Sequence, residues 1–146
     1  MTASSNPIHP ECESDSLGYP VIDLPKSVVS TTESVIRFMI GQLAEQGRIS
    51  REHATRAICQ VVTRESQGAT AVGRGVAMPH SKSEVEGVIG LVGRSTLPLP
   101  WHAPDGVSVR EVWLLPTPAG QPRQCLQAFQ DAAAVLSHLP PTPESR

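Results

Sequence analysis

Aromatic side chains are nearly absent: two Trp, one Tyr and two Phe make up 3% of the 146 residues. A chain so poor in flat rings has no stacking platform for a run of bases or sugars, and its core must be aliphatic. Positive charge is not in excess either. Twelve Lys and Arg against fourteen Asp and Glu leave a net charge of −2, without the basic footprint that nucleic-acid binding requires. Cysteine is scarce, and Cys12, Cys59 and Cys125 are widely spaced with no C-x-x-C pair, so neither a disulfide framework nor a structural zinc site is expected. No two histidines stand four residues apart, which leaves metal binding without its usual helical pair. No apolar run approaches the roughly 18 residues that cross a bilayer. The opening MTASSNPIHPECESDS lacks the basic start and apolar stretch of a secretory signal. A cytoplasmic protein without a cofactor, reaching any membrane only through a partner, is the expectation.

Proline is plentiful, yet none of the fourteen lies between Lys26 and Met78, so that interval is where helices can form. Ser30 with Glu33 reads as a capping box, followed by the stripe Val35, Ile36, Met39, Ile40, Leu43 and Ala44 and a stop at Gly47. Ser50 caps a second helix through Ala54, Ala57, Ile58, Val61 and Val62 to Arg64. Before them, residues 1–19 read as a flexible leader and Val21 to Leu24 as an edge strand or loop. Beyond them, Val76 to Met78 reads as a strand, Ser81 to Gly87 as an exposed turn and Val88 to Gly93 as a buried strand. Val107 to Leu115 reads as another strand, Pro116 to Pro122 as a loop, and Leu126, Phe129, Ala133 and Leu136 as the inner face of a last helix stopped by Pro140-Pro141. The order implies an α/β domain over residues 20–139, a central mixed sheet flanked by helices in three layers, with a tail from 140 to 146.

The chemistry concentrates in TRESQGATAVGRGVAMPHSK, residues 63–82. Gly68, Gly73 and Gly75 allow positive φ and close backbone approach, the outline of a cradle in which main-chain N–H groups meet an anion. Arg64 adds a cation and Thr70 a hydroxyl, and Pro79 fixes the backbone before His80 at the end of a sheet. A lone histidine of this kind reads as a satisfied turn residue, and the glycines as tight turns. Arg74, between two glycines, reads as a solvated loop charge.

The length of the pattern reverses that bland reading. RESQGATAVGRGVAMPH resembles the signature R-E-x-x-G-S-T-G-I-G-x-G-I-A-I-P-H of the fructose/mannitol/nitrogen-regulatory class of enzyme IIA domains of the bacterial phosphotransferase system. The resemblance extends over roughly residues 20–138, including WHAPDGVSVREVWLLPTPAG, and implies the same three-layer fold. It implies that His80 accepts a phosphoryl group from phospho-HPr and passes it to a IIB domain or a regulatory target, with Arg64, Thr70, Gly68, Gly73 and Gly75 around it. An imidazole is largely neutral at cytoplasmic pH, so a ring nitrogen keeps the lone pair that attacks phosphorus. The class carries further helical chain beyond the position of Leu139, so part of the sheet's usual cover is expected to be missing here.

Three positions depart from the pattern. Ala69 stands where serine is usual and Ala71 where glycine is usual. In PAGQPRQCL, Cys125 aligns with a second histidine that in the class helps to hold the phosphoryl group. A thiol carries no positive charge and is a weak donor, so weaker stabilisation or slower transfer is expected; Cys125 reads equally well as a small buried residue at a helix start. A regulatory binding module remains the second reading, because no IIB, HPr or membrane segment is fused to the chain. A Cys–His nucleophilic enzyme built on Cys125 and His80 is a third, with no nucleophile motif to support it.

Overall fold

The computed structural model describes residues 18–83, 89–118 and 121–138. Helix α1 spans Thr32–Glu45. Its cap is Thr31 rather than Ser30: the Thr31 hydroxyl accepts from Ser34 N at 3.0 Å, and Ser34 Oγ accepts in turn from Thr31 N. Ser34 Oγ also donates to the Val28 carbonyl, which fixes the entry of the chain. Glu33 is left to pair with Arg37 across one exposed turn at 2.8 Å. Val35, Ile36, Met39, Ile40 and Leu43 are fully buried. The helix closes at Gly47, where φ is +72°. Gly47 N donates to Ala44 O and Arg48 N to Leu43 O, which satisfies the last carbonyls. Helix α2 spans Arg51–Ser66 and begins as expected, with Ser50 Oγ accepting from His53 N at 3.0 Å.

Among the described residues six strands form one sheet: β1 Val21–Asp23, β2 Ala71–Gly73, β3 Val76–Ala77, β4 His80–Ser83, β5 Leu91–Arg94 and β6 Glu111–Pro118. Their order is β1-β5-β6-β3-β2, with β4 also paired to β6. β1 runs parallel to β5, β3 and β4 run parallel to β6, and the β5–β6 and β2–β3 pairs are antiparallel. β3 and β4 thus follow one another along the same edge of β6, interrupted at Met78-Pro79.

Alternation along the strands makes two cores. Leu91, Val112, Leu114 and Ala77 point to the face covered by α1 and α2. Val92, Trp113, Leu115, Val76 and Met78 point to the other face, where helix α3, Pro122–Ser137, lies. This is the α/β arrangement with a central mixed sheet between helical layers.

Several boundaries differ from the sequence reading. Ser81 to Ser83 continue as strand beside β6 instead of turning; Glu84 to Val88 lie outside the described residues. Val107 to Arg110 approach the sheet without joining it, and β6 runs on through Pro116 and Pro118. Leu115 N donates to Pro79 O, so alternation turns the backbone nitrogens of Pro116 and Pro118 away from β4, beyond the last register pair with β5 at Leu114. A missing N–H there removes no ladder bond. Residues 119 and 120 of the expected loop, the leader through residue 17 and the tail lie outside the described residues.

The inner face of α3 is also shifted. Ala128 and Ala132 are its buried residues, with Phe129, Val135 and Leu136 packed partly against the sheet. Leu126 is 59% exposed, and Ala133 faces solvent. Small side chains let the helix backbone lie close to the sheet above Trp113, so size alone misassigned the stripe. Tyr19, grouped with the leader, lies against Gly90 and the α3-side core.

Candidate functional site

Pro79 and the β6 ladder place His80. Pro79 O accepts from Leu115 N at 3.0 Å and Met78 N donates to Thr70 O at 2.9 Å, pinning the strand on both sides of the proline. His80 then opens β4 opposite Leu115, alongside the strand rather than at the end of the sheet. Its Nδ1 lies 2.9 Å from the Met78 carbonyl. A carbonyl only accepts, so Nδ1 carries the proton and Nε2 the lone pair. The ring of Phe129, from α3, meets the imidazole edge to face at 4.9 Å and 81°. This contact holds the ring plane, and His80 remains half-buried.

An open cleft of about 250 Å³ lies against this imidazole, lined by Arg64, Ala69, Thr70, Ala71, Val72, Met78, His80 and Phe129. Arg64 comes from the last turn of α2, with Nη1 donating to Gly68 O at 2.9 Å. That bond folds the chain back at the helix end and sets the guanidinium on the cleft wall. Ala69 and Ala71 contribute no side-chain donor. His80, Arg64 and Thr70 are therefore brought together.

Thr70 is buried, with 6% of its surface exposed, and is engaged by a residue that the sequence reading did not single out. Glu65 Oε1 accepts from the Thr70 hydroxyl at 2.6 Å, and Glu65 Oε2 accepts from Thr70 N at 2.9 Å. The same Oε2 accepts from Trp101 Nε1 at 2.9 Å. Glu65 stands next to Arg64 inside the signature, but its partners are five and thirty-six residues away, beyond the reach of local pattern. Phe129 was legible only as a core residue of α3.

The glycines do not converge on the cleft. Gly73, Arg74 and Gly75, with φ of +92°, +58° and +79°, form the tip of the β2–β3 hairpin. Asp105 Oδ2 accepts from Arg74 N at 2.9 Å, and a Cβ on Gly73 would stand 3.1 Å from that oxygen. Gly75 O accepts from Arg110 N and Glu111 N. Gly68 has no positive φ, and its N–H donates to Glu65 O at the helix end. The amide cradle of the sequence reading is thus a turn locked by Asp105. Donation from Arg74 N, then from Val107 N, holds the Asp105 carboxyl below its usual range. Arg74 is no loosely solvated charge: its Nη1 donates to Leu136 O at 3.3 Å and to Ser137 O at 3.1 Å at the end of α3.

Cys125 lies in the first turn of α3, partly buried and outside any disulfide. It does not line the cleft, whereas Phe129, one turn further along α3, does. Among the described residues no group of three or more His, Cys, Asp or Glu side chains is placed to hold a metal ion. No helix among them is long and apolar enough to cross a membrane.

Comparison with known proteins bears on the family and the fold. The family model described as the phosphoenolpyruvate-dependent sugar phosphotransferase system, EIIA 2, matches residues 20–138. The nitrogen regulatory protein of Bradyrhizobium diazoefficiens is 30% identical over 118 residues, 80% of this chain and 75% of the relative. Among solved structures, the nitrogen regulatory protein IIA-Ntr of Neisseria meningitidis superposes with a TM-score of 0.68 at 24% identity, covering 84% of this chain and 80% of that one. Enzyme IIAMTL of Escherichia coli, solved in complex with phosphorylated enzyme IIBMTL, gives 0.59 at 19% identity, with 81% of each chain covered.

Proposed function

From the premise that the chain belongs to the EIIA type-2 family of the phosphoenolpyruvate-dependent sugar phosphotransferase system, we propose that it is a phosphocarrier whose acceptor atom is His80 Nε2. The observation that carries this is the bond from Nδ1 to the Met78 carbonyl. It selects the tautomer whose remaining nitrogen is nucleophilic, beside a cleft shared with the Arg64 guanidinium.

The Nε2 lone pair attacks phosphorus in line, and the N–P bond of phospho-HPr breaks as the new one forms, its electron pair returning to the donor's ring. Positive charge that develops on the His80 ring is shared with Nδ1–H and eased by the Met78 carbonyl dipole. Little covalent help is required of the protein; placement and cationic compensation of the phosphoryl oxygens do most of the work, and Arg64 supplies the charge. Transfer onward reverses the step toward a IIB domain. The second reading, a regulatory binding module whose phosphotransfer is weak or lost with Cys125 in place of the second histidine, is favoured by the likeness to a nitrogen regulatory protein.

One experiment decides between carrier and module. The protein is mixed with phosphoenolpyruvate, enzyme I and HPr, and its intact mass is measured alongside His80→Ala. One acid-labile phosphoryl group on the native chain and none on the variant is the expected result. No label where a standard IIA domain is labelled would falsify the carrier reading and leave the binding module.

A further inference from the structure

Resting on the phosphocarrier reading, we infer that Glu65 is a positioning residue that aims the hydroxyl hydrogen of Thr70 away from the cleft, so that Thr70 presents lone pairs to the phosphoryl group and keeps it poised for transfer instead of storing it.

A carboxylate at neutral pH only accepts, so at 2.6 Å the Thr70 hydroxyl must donate to Glu65 Oε1. The carboxylate cannot swing away, because its other oxygen is held by two N–H groups, from the Thr70 backbone and the Trp101 indole, each at 2.9 Å. Thr70 Oγ1 has one hydrogen and spends it on Glu65. What it turns to any other neighbour is lone-pair density, and Thr70 is on the cleft wall with His80. Phosphoryl oxygens are also acceptors only, so this hydroxyl cannot bond to them while Glu65 holds its hydrogen. Neighbouring Ala69 and Ala71 offer no side-chain donor in its place. Thr70, expected from sequence to donate to the phosphoryl group, has the opposite polarity because its hydrogen goes to Glu65.

Glu65→Gln isolates the effect. The amide oxygen takes the place of Oε2 and accepts from both N–H groups, while the amide nitrogen takes the place of Oε1 and donates to Thr70 Oγ1. All three contacts persist with one reversed, and the hydroxyl hydrogen must then turn toward another acceptor, which a bound phosphoryl group supplies.

Two readouts follow, each on the full chain. First, His80 is phosphorylated, the donor removed, and the loss of label followed as water adds to phosphorus, releasing inorganic phosphate and the free imidazole. E65Q should lengthen the half-life about tenfold, the usual worth of one hydrogen bond to a charged group. T70V should not shorten it, and E65Q in the T70V background should change nothing. Second, inorganic phosphate titrated against the unphosphorylated chain, followed by the His80 ring NMR signals, should bind E65Q about tenfold more tightly than native protein.

A half-life and phosphate affinity for E65Q within twofold of native, or an equal effect in the T70V background, overturns the inference. So does a shorter half-life in T70V, or an E65Q chain that fails to fold, since that would make the charge itself the essential feature. If the native chain takes no label but E65Q tightens phosphate binding through Thr70, the carrier reading falls and the role of Glu65 stands.

Discussion

Gly90 precedes β5 and lies directly under the ring of Tyr19. A Cβ built on it would stand 2.3 Å from Tyr19 Cδ2 and 2.4 Å from both Cε2 and Cγ. Carbon atoms rest at about 3.5–4.0 Å, so the ring must retreat by more than an ångström. Because Cγ is among the atoms struck, the whole ring has to move; swinging its tip aside is not enough. Retreat is hindered, for Tyr19 packs with Val21, Phe129, Val135 and Leu136 against the core under α3. The backbone at Gly90 is held as well, its carbonyl accepting from Arg48 Nη1 at 3.1 Å. Gly90 has no positive φ, so alanine brings no dihedral strain and the cost is steric alone. Overpacking of this kind costs about 1–3 kcal/mol. We expect Gly90→Ala to lose about 2 kcal/mol, with a melting point lower by about 8 °C for a domain of this size. Guanidinium unfolding followed by the fluorescence of Trp101 and Trp113 gives the free energies. The decisive measurement is the same substitution in a Tyr19→Ala background, where the new methyl meets open space and should cost a few tenths of a kcal/mol. An equal penalty in both backgrounds, or none in either, would refute the steric reasoning.

Two further outcomes follow from the site. Asp105 is held below the usual carboxylate range by Arg74 N–H first and Val107 N–H second. Since its folded value is the lower one, its contribution to stability is complete above the unfolded value of about 3.9 and is lost as pH falls through the folded value. Urea midpoints measured from pH 6 down to pH 3 should therefore fall more steeply for the native chain than for Asp105→Asn; parallel curves would remove Asp105 from the acid response. Cys125→His places an imidazole one turn before Phe129 on the same face of α3, where its charged form can reach toward the phosphoryl group on His80. Phosphohistidine lifetime should rise about five- to tenfold, and an unchanged lifetime in an intact-mass time course would show that position 125 does not reach it.

How much was legible beforehand depended on how local the cause was. Ser50 and its bond to His53 are three residues apart, so the start of α2 could be read directly. At the start of α1, three hydroxyl residues in a row, Ser30, Thr31 and Thr32, offer equivalent caps, and the tie from Ser34 back to Val28 goes with the cap at Thr31. Pro116 and Pro118 look like loop until β4 is known to lie on only one side of them. The glycines at 73 and 75 announce a special backbone, but the partner that gives it purpose, Asp105, is 31 residues from Arg74. Arg64, Thr70 and His80 were legible as a group because one strand, one helix end and one proline bring them together within the signature. Glu65 matches the fixed glutamate of the signature, but its grip on Thr70 and Trp101 exists only after folding.

The Arg74 guanidinium reaches carbonyls 62 and 63 residues further along the chain. The hairpin tip and the far end of α3 are thereby stitched into a single corner, although 62 residues of chain separate Arg74 from Leu136. A ribosome delivers residue 74 long before residue 136, so that stitch is among the last to be drawn. Trimming the chain within the final turn of α3 would accordingly be felt at the tip of the hairpin, on the opposite side of the sequence from the cut.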